Sequence, residues 1–387
     1  MSTIPLFLHD NLDKYFYNRK DDIKHINYLL RSLDDSIAQQ LLLVGYRGVG
    51  KSYLIKKIRS QLPESFLSIC LDISQIYGME KGNMTPESIL MEMLDKINSE
   101  YTSKSGKNDM TNYIKKQLQK IHTKDYTLDQ ATKIAEIPIP RSEENYKKLS
   151  KMTMQLPQKI VDESQSITGF VIFIDEFQLL RKLDNSDSFF WLIRSFNQHQ
   201  HNVSYVFTGS LSKTSEFIKS LNGESGAFGG RLIQISIDPF TKEETRNYFK
   251  DNLDDINFTE EGFNTFYKCT RGIPLYINSF YNILSTQEVY DQEKIQQTFE
   301  LNMEQILWKI AIIYASLNEY EQDIINILAQ EGPSTWTKIF EKTTFTRKTF
   351  TKYLNNLLNA GLLEHIEDEY ILDDMLNVWV KHENMKK

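Results

Sequence analysis

Cysteine is nearly absent. Cys70 and Cys269 are the only two in 387 residues, and they lie far apart with no metal-ligand spacing around them. This excludes a disulfide framework and a cysteine-based zinc site, and it fits a reducing compartment. Long apolar runs are absent too: no stretch approaches the length that spans a bilayer. The short apolar run at residues 4–8 has no basic segment before it and no small-residue cleavage site after it, so it reads as folded chain and not as a signal peptide. The cytoplasm is the expected location. No internal repeat is visible. The remaining composition, 40% apolar and 25% charged, is ordinary for a globular protein, and the length suggests two to three domains.

One segment stands out against that background. Residues 45–52 read Gly-Tyr-Arg-Gly-Val-Gly-Lys-Ser, the pattern G-x-x-x-x-G-K-[ST] of P-loop nucleotide hydrolases. The apolar residues 40–44 before it read as a buried strand, and residues 53–58 after it have helical spacing. Glycines at 45, 48 and 50 let the main chain approach phosphate oxygens. The amides of residues 48–52 would then form a nest at a helix N-terminus, where partial positive charge favours an anion. Gly45, Gly48, Val49, Gly50, Lys51, Ser52 and Tyr53 are the candidate nucleotide contacts, with Lys51 reaching the β- and γ-phosphates and Ser52 a Mg2+ ligand.

The acidic half of the site is read far downstream. Residues 170–174 are all apolar and lead into Asp175 and Glu176. Such a run is a central parallel strand buried on both faces, and ligands in open α/β sheets sit at the carboxyl ends of strands. Asp175 is expected to hold Mg2+ through water, and Glu176 to orient or deprotonate the attacking water. A glutamate beside the metal aspartate favours hydrolysis over transfer to a second substrate. A further strand, residues 203–210, ends in Thr-Gly-Ser. In P-loop ATPases with an extra central strand a polar residue there contacts the γ-phosphate or the water. Ser210 is the first candidate and Thr208 the second, against the alternative of a plain helix cap.

Alternating strands (40–44, 65–72, 170–174, 203–210, 233–237) and helices predict an α/β P-loop NTPase core, a parallel five-stranded sheet with helices on both faces, over residues 1–240. Residues 101–143 read as a polar, weakly helical insertion broken at Pro138 and Pro140. Residues 241–316 read as a helical lid. Residues 317–387 have winged-helix character, with a long helix at 346–360 and a hairpin at 362–372 as the wing.

Six elements together carry a family resemblance: the P-loop, Ile-Asp-Glu-Phe-Gln at 174–178, Thr-Gly-Ser at 208–210, Gly-Gly-Arg at 229–231, Asp-Pro-Phe at 238–240 and Arg-Gly-Ile-Pro at 271–274. The chain resembles the archaeal-type ATPases of the STAND group, relatives of AAA+ proteins. The resemblance implies ATP over GTP, and the sequence has no Asn-Lys-x-Asp guanine signature. It implies that Arg19, in the stretch from Phe16 to Asp22, belongs to a box beside the nucleotide base. Asp22 stands there where glutamate is usual. It implies that Pro274 packs on adenine and that Arg231 stands in the place of an arginine finger, acting within its own subunit or on a neighbour. For Arg231, pairing with a surface acid is an equal alternative. The glycine-rich loop 223–230 before it has the freedom of a switch segment.

Charge is uneven. Residues 101–160 carry 12 Lys and Arg against six Asp and Glu, while the chain as a whole is −7. The basic stretch can be a nucleic-acid face or, preferred here because its lysines are dispersed, a solvated helical face. Residues 317–387 carry eight Lys and Arg against 12 Asp and Glu, with acids on the wing that would repel phosphates. The expected protein is a Mg2+-dependent ATPase of slow turnover, a conformational switch controlling a protein partner. The alternative is a DNA-binding ATPase, regulator or replication-initiator-like, that uses helix 346–360 and the 101–160 region. An ATP-dependent oligomer fits either.

Overall fold

The computed structural model describes residues 16–106, 109–121, 143–210, 216–253 and 256–386. Five apolar runs form strands: β1 (Leu41–Val44), β2 (Phe66–Asp72), β3 (Gly169–Asp175), β4 (Val203–Gly209) and β5 (Ile233–Ser236). All pair in parallel, in the order β2-β3-β4-β1-β5. β1, β3 and β4 are buried at every residue, which is why their sequences are continuous apolar runs and not alternating ones. Parallel pairing puts all five C-terminal ends on one edge, where the P-loop, Glu176 and Ser210 follow β1, β3 and β4. The expected α/β core is therefore the fold.

Helices α1 (Lys20–Arg31) and α2 (Lys51–Ser60) cover one face, packing Ile26, Leu30, Leu54 and Ile58 against Leu41, Leu43 and Phe173. On the other face lie α3 (Pro86–Ser105), α4 (Asp109–Ile121), α5 (Glu143–Glu163) and α6 (Ser186–Asn197), against Leu42, Ile172 and Phe207. Each fully buried side chain of this size contributes roughly 1.5–3 kcal/mol.

Residues 101–143, read as a polar, weakly helical insertion, hold a regular helix with a buried face over their first part. α4 packs between α3 and α5 and buries Ile114 and Leu118 completely, one turn apart on the same face. Lys116 and Lys120 are exposed on the other side of the helix. Residues 122–142, including Pro138 and Pro140, lie outside the described residues.

After β5 the chain is mostly helical. α7 (Lys242–Asn252) starts with a capping box formed by Thr241 and Glu244. α8 (Glu260–Thr270), α9 (Pro274–Tyr281) and α10 (Gln292–Leu301) follow, tied by a short parallel pair, β6 (Asn257–Phe258) with β7 (Val289–Tyr290), that sequence reading missed. α11 (Trp308–Ser316) leads into α12 (Glu319–Glu331), α13 (Trp336–Glu341) and α14 (Arg347–Asn359). A three-stranded antiparallel sheet orders as β8 (Ser334–Thr335), β10 (Glu369–Leu372), β9 (Leu363–Ile366). The expected hairpin is there, but β8 and a last helix, α15 (Asp374–Lys386), were not anticipated. One apolar cluster runs without a break from Phe240 through Ile306 and Ile310 to Ile324, Leu357 and Leu376. The helices from α7 to α10 and the C-terminal helices thus share a single core. Among the described residues no helix is long and apolar enough to cross a membrane.

Candidate active site

Residues 45–50 turn from β1 into α2 in the way the glycines require. Gly48 and Gly50 both take positive φ, +89° and +96°, a conformation that L side chains rarely adopt. Gly50 is the N-cap of α2 and Lys51 its first residue. The Lys51 ammonium donates to the carbonyls of Gly45 at 2.8 Å and Tyr46 at 2.9 Å. Burial pushes its pKa down to about 8, against the opposing pull of Glu176 and Asp175.

Those two acids end β3. Asp175 is 7% exposed, and its Oδ1 accepts from Thr208 Oγ1 and, at 3.0 Å, from the Glu176 amide. Thr208 is therefore the anchor of Asp175, buried beneath the site, while Ser210 two residues on lines the cavity above it. Glu176 has φ +54°, a left-handed conformation uncommon for a non-glycine residue. Its Oε2 accepts from Gln178 Nε2 at 2.5 Å. The carboxylate is thus turned by a side chain two positions along the same loop.

These groups face one cavity of about 470 Å3 at the C-terminal edge of the sheet. It is lined by Gly48, Val49, Gly50, Lys51, Ser52 and Tyr53 from the P-loop, with Asp175, Glu176 and Ser210 opposite. Its other end is aromatic: Phe16, Tyr17, Phe240 and Tyr248 with Pro274. Tyr17 lies 5.1 Å from Tyr248 and 6.0 Å from Phe240 between ring centroids. Arg19 bridges the two ends. It donates to the Val49 carbonyl at 3.2 Å, pairs with Asp22 at 3.6 Å and lies 5.2 Å from the Phe240 ring centroid. Burial lowers its pKa, opposed by Asp22, Glu244 and Asp238. Helix α9 is bonded to the P-loop directly, since the Leu275 amide, next to Pro274, donates to the Gly48 carbonyl at 3.3 Å. Gly48 itself makes that approach possible: a Cβ there would sit 2.9 Å from the Leu275 Cβ.

The chain matches, over residues 16–280, a family described as an ATPase domain predominantly from Archaea. It belongs to that family. The ATPase is also similar in fold to the Walker-type ATPase paby2304 of Pyrococcus abyssi. Identity is 17% and the TM-score 0.59, over 94% of this chain and 95% of that one. The Orc1 protein of Aeropyrum pernix, solved in complex with DNA, matches at 12% identity and TM-score 0.50, over 98% of this chain and 96% of that one. No curated protein matches the chain.

Of the expected site residues in the ATPase, Arg231 does not join the others. It is exposed, two residues before β5, at the N-terminal end of a sheet whose C-terminal edge holds the cavity. The alternative in which Arg231 acts on the nucleotide of its own chain is corrected by this placement. The loop before it is held in place: Arg194 donates to the Ala227 carbonyl at 2.9 Å and Phe228 is buried. Several lining residues were missed, among them Asp72, Tyr248, Trp308 and Lys309. Asp72 ends β2 directly opposite Asp175 and caps the next helix by accepting from the Ser74 amide at 2.9 Å. Tyr248, Trp308 and Lys309 come from the lid and from α11. Asp72 carried a usable signal, an acid at the end of an apolar strand. The other three had none, because only the tertiary fold brings them to the P-loop.

Proposed function

We propose that the ATPase is a nucleotide-driven switch in which ATP, bound between core and lid, sets the position of the C-terminal helices. The observation that supports it best is the composition of the cavity wall. Core, lid and α11 all contribute, so a ligand there touches the core, the lid and the helix that leads into the C-terminal half. The base would lie against Tyr17, Phe240, Tyr248 and Pro274, and the phosphates along the P-loop amides with Lys51. Contact of the Gly-Ile-Pro element with Gly48 supports the finer assignment to the STAND group. The helices α12 to α14 with the three-stranded sheet support a winged-helix reading of residues 317–387, and 241–316 serve as the lid.

The glycine cradle and the hard oxygen donors Ser52 and Asp175 fit Mg2+, which those two residues would hold. Bound there, Mg2+ would neutralise phosphate charge. Glu176 takes the proton from a water whose oxygen attacks the γ-phosphorus, the bond to the β,γ-bridging oxygen breaks, and ADP and phosphate leave. Lys51 and Ser210 stand where the charge of the transferred phosphoryl group develops. Arg231, exposed at the far sheet edge, could reach a nucleotide only across an interface with a neighbouring subunit.

The output we favour is a protein partner in a cytoplasmic setting. The wing tip carries exposed Glu367, Asp368 and Glu369, which would oppose a phosphate backbone. DNA is the second reading, supported by exposed Arg347, Lys348 and Lys352 on α14. Steady-state ATP hydrolysis with and without duplex DNA, for the wild type and Glu176→Gln, tests both. Turnover that is indifferent to DNA and falls at least about a hundredfold in Glu176→Gln supports the switch with Glu176 as base. DNA-stimulated turnover would move the assignment to the second reading, and a mutant as active as the wild type would remove Glu176 from the chemistry.

A further inference from the structure

Lys309 is the second residue of α11, at the seam between lid and C-terminal helices. Its side chain lines the same cavity as Lys51, Asp175, Glu176 and Ser210. It is half-buried and, among the described residues, makes no hydrogen bond or ion pair. Burial lowers its pKa, Arg47 lowers it further, and Glu176 and Asp175 pull it back up. The same electrostatics reach Lys51, whose ammonium feels Lys309 as a like charge. Two ammonium groups on different elements therefore face one volume, with the two carboxylates on its floor. A half-buried cation without a hydrogen-bond partner has lost part of its hydration, and an anion in the cavity would supply that partner.

The position of α11 gives such a contact a consequence. Ile310, the next residue, is buried in the apolar cluster that continues into Leu376 and Val380 of α15, and α11 and α15 pack against each other. A pull on Lys309 is a pull on the C-terminal half.

We propose that Lys309 reads the terminal phosphate of the bound nucleoside triphosphate and so ties α11, and with it the C-terminal helices, to the nucleotide state. This rests on the ATPase reading of the cavity and adds the residue that senses the γ-phosphate. Lys51, held on the P-loop, would engage both di- and triphosphate. Lys309, reaching in from the other side, would meet a partner only when the third phosphate is present. Loss of that phosphate on hydrolysis would release α11.

The test is the affinity of the full chain for the β,γ-imido analogue of ATP and for ADP, measured for the wild type, Lys309→Met and Lys309→Arg. For Lys309→Met we expect the triphosphate analogue to bind roughly ten- to a hundredfold more weakly. ADP affinity should change by less than about threefold, and Lys309→Arg should recover much of the loss. Unchanged thermal unfolding of Lys309→Met shows that the fold is intact. If the mutant loses ADP and the analogue equally, or loses neither, Lys309 does not read the γ-phosphate and the inference is overturned. If the wild type binds neither ligand, the ATPase reading of the cavity falls, and the inference falls with it.

Discussion

Tyr46, the second residue of the P-loop, donates its phenol hydrogen bond to Asp373, the residue that joins the C-terminal hairpin to α15. Both residues are half-buried. The second acceptor duty of Asp373 is to α15 itself, where it takes the Leu376 amide at 2.9 Å. The phosphate loop and the last helix of the chain are thus connected through one tyrosine and one aspartate. Tyr46→Phe keeps the ring and removes the hydroxyl, leaving a buried carboxylate short of a donor. It should cost about 1–3 kcal/mol in urea unfolding and make the C-terminal half more susceptible to limited proteolysis. An unfolding curve that overlays the wild type would show that the contact does not hold the two parts together.

The same aspartate gives a pH dependence. Burial raises the Asp373 carboxyl to about 6, with Asp374 adding to the rise and the Tyr46 hydroxyl, the Leu376 amide and Arg47 opposing it. In the unfolded chain its pKa is about 3.9. Between those values the folded protein keeps a proton that the unfolded chain has lost, so this group's contribution to stability falls as pH rises through the window. The loss is on the order of 3 kcal/mol and is complete above pH about 6. Asp373→Asn carries no such charge. Its unfolding free energy relative to the wild type should therefore improve as pH goes from about 4 to 7. A difference between the two proteins that stays flat across that range would contradict the assignment.

Gly209 is the place where a single methyl group should reach Glu176, the proposed base, indirectly. A Cβ there would lie 2.6 Å from Gln178 Oε1 and 2.7 Å from the Phe177 ring. Phe177 is fully buried and stacks on Phe217 at 5.3 Å, so Gln178 is the group that must yield. Gln178 turns Glu176, and Gly209→Ala should therefore lower kcat by about tenfold or more while ATP affinity holds. An equal loss in affinity and turnover would place the damage in the P-loop instead.

Thr208→Val preserves shape and removes the hydroxyl that anchors Asp175. With Asp175 left on the Glu176 amide alone, the Mg2+ concentration giving half-maximal hydrolysis should rise roughly tenfold. Nucleotide binding measured in a chelator should not change. Loss of binding in the chelator would mean that Thr208 supports the fold of the site and not its metal ligand.

The parts of this site that were legible in the chain are those encoded locally. The P-loop is one continuous segment, and Asp175 is marked by the apolar run before it. The sheet was legible for the same reason, since buried parallel strands are unbroken apolar runs. What could not be read was long-range placement. Lys309 and Tyr248 look like any helix residues until the lid folds over the P-loop. Asp373 sits after a hairpin whose strands were recognised, yet nothing local says that it meets Tyr46. The helix Asp109–Ile121 hid its two core positions, Ile114 and Leu118, among lysines and glutamines. Arg231 was assigned by its neighbourhood in a motif, and only the direction of β5 shows which end of the sheet it occupies.

Amide hydrogen exchange of the full chain tests the central claim most directly, comparing the ADP-bound protein with the protein bound to the β,γ-imido analogue of ATP. If the nucleotide sets the position of the C-terminal helices, exchange should differ between the two in α11, in the hairpin at 363–372 and in α15, besides the P-loop. Differences confined to the P-loop and the strand ends at Asp175 and Ser210, with the C-terminal half exchanging identically, would contradict a switch and leave an ATPase whose C-terminal module is indifferent to the nucleotide it holds.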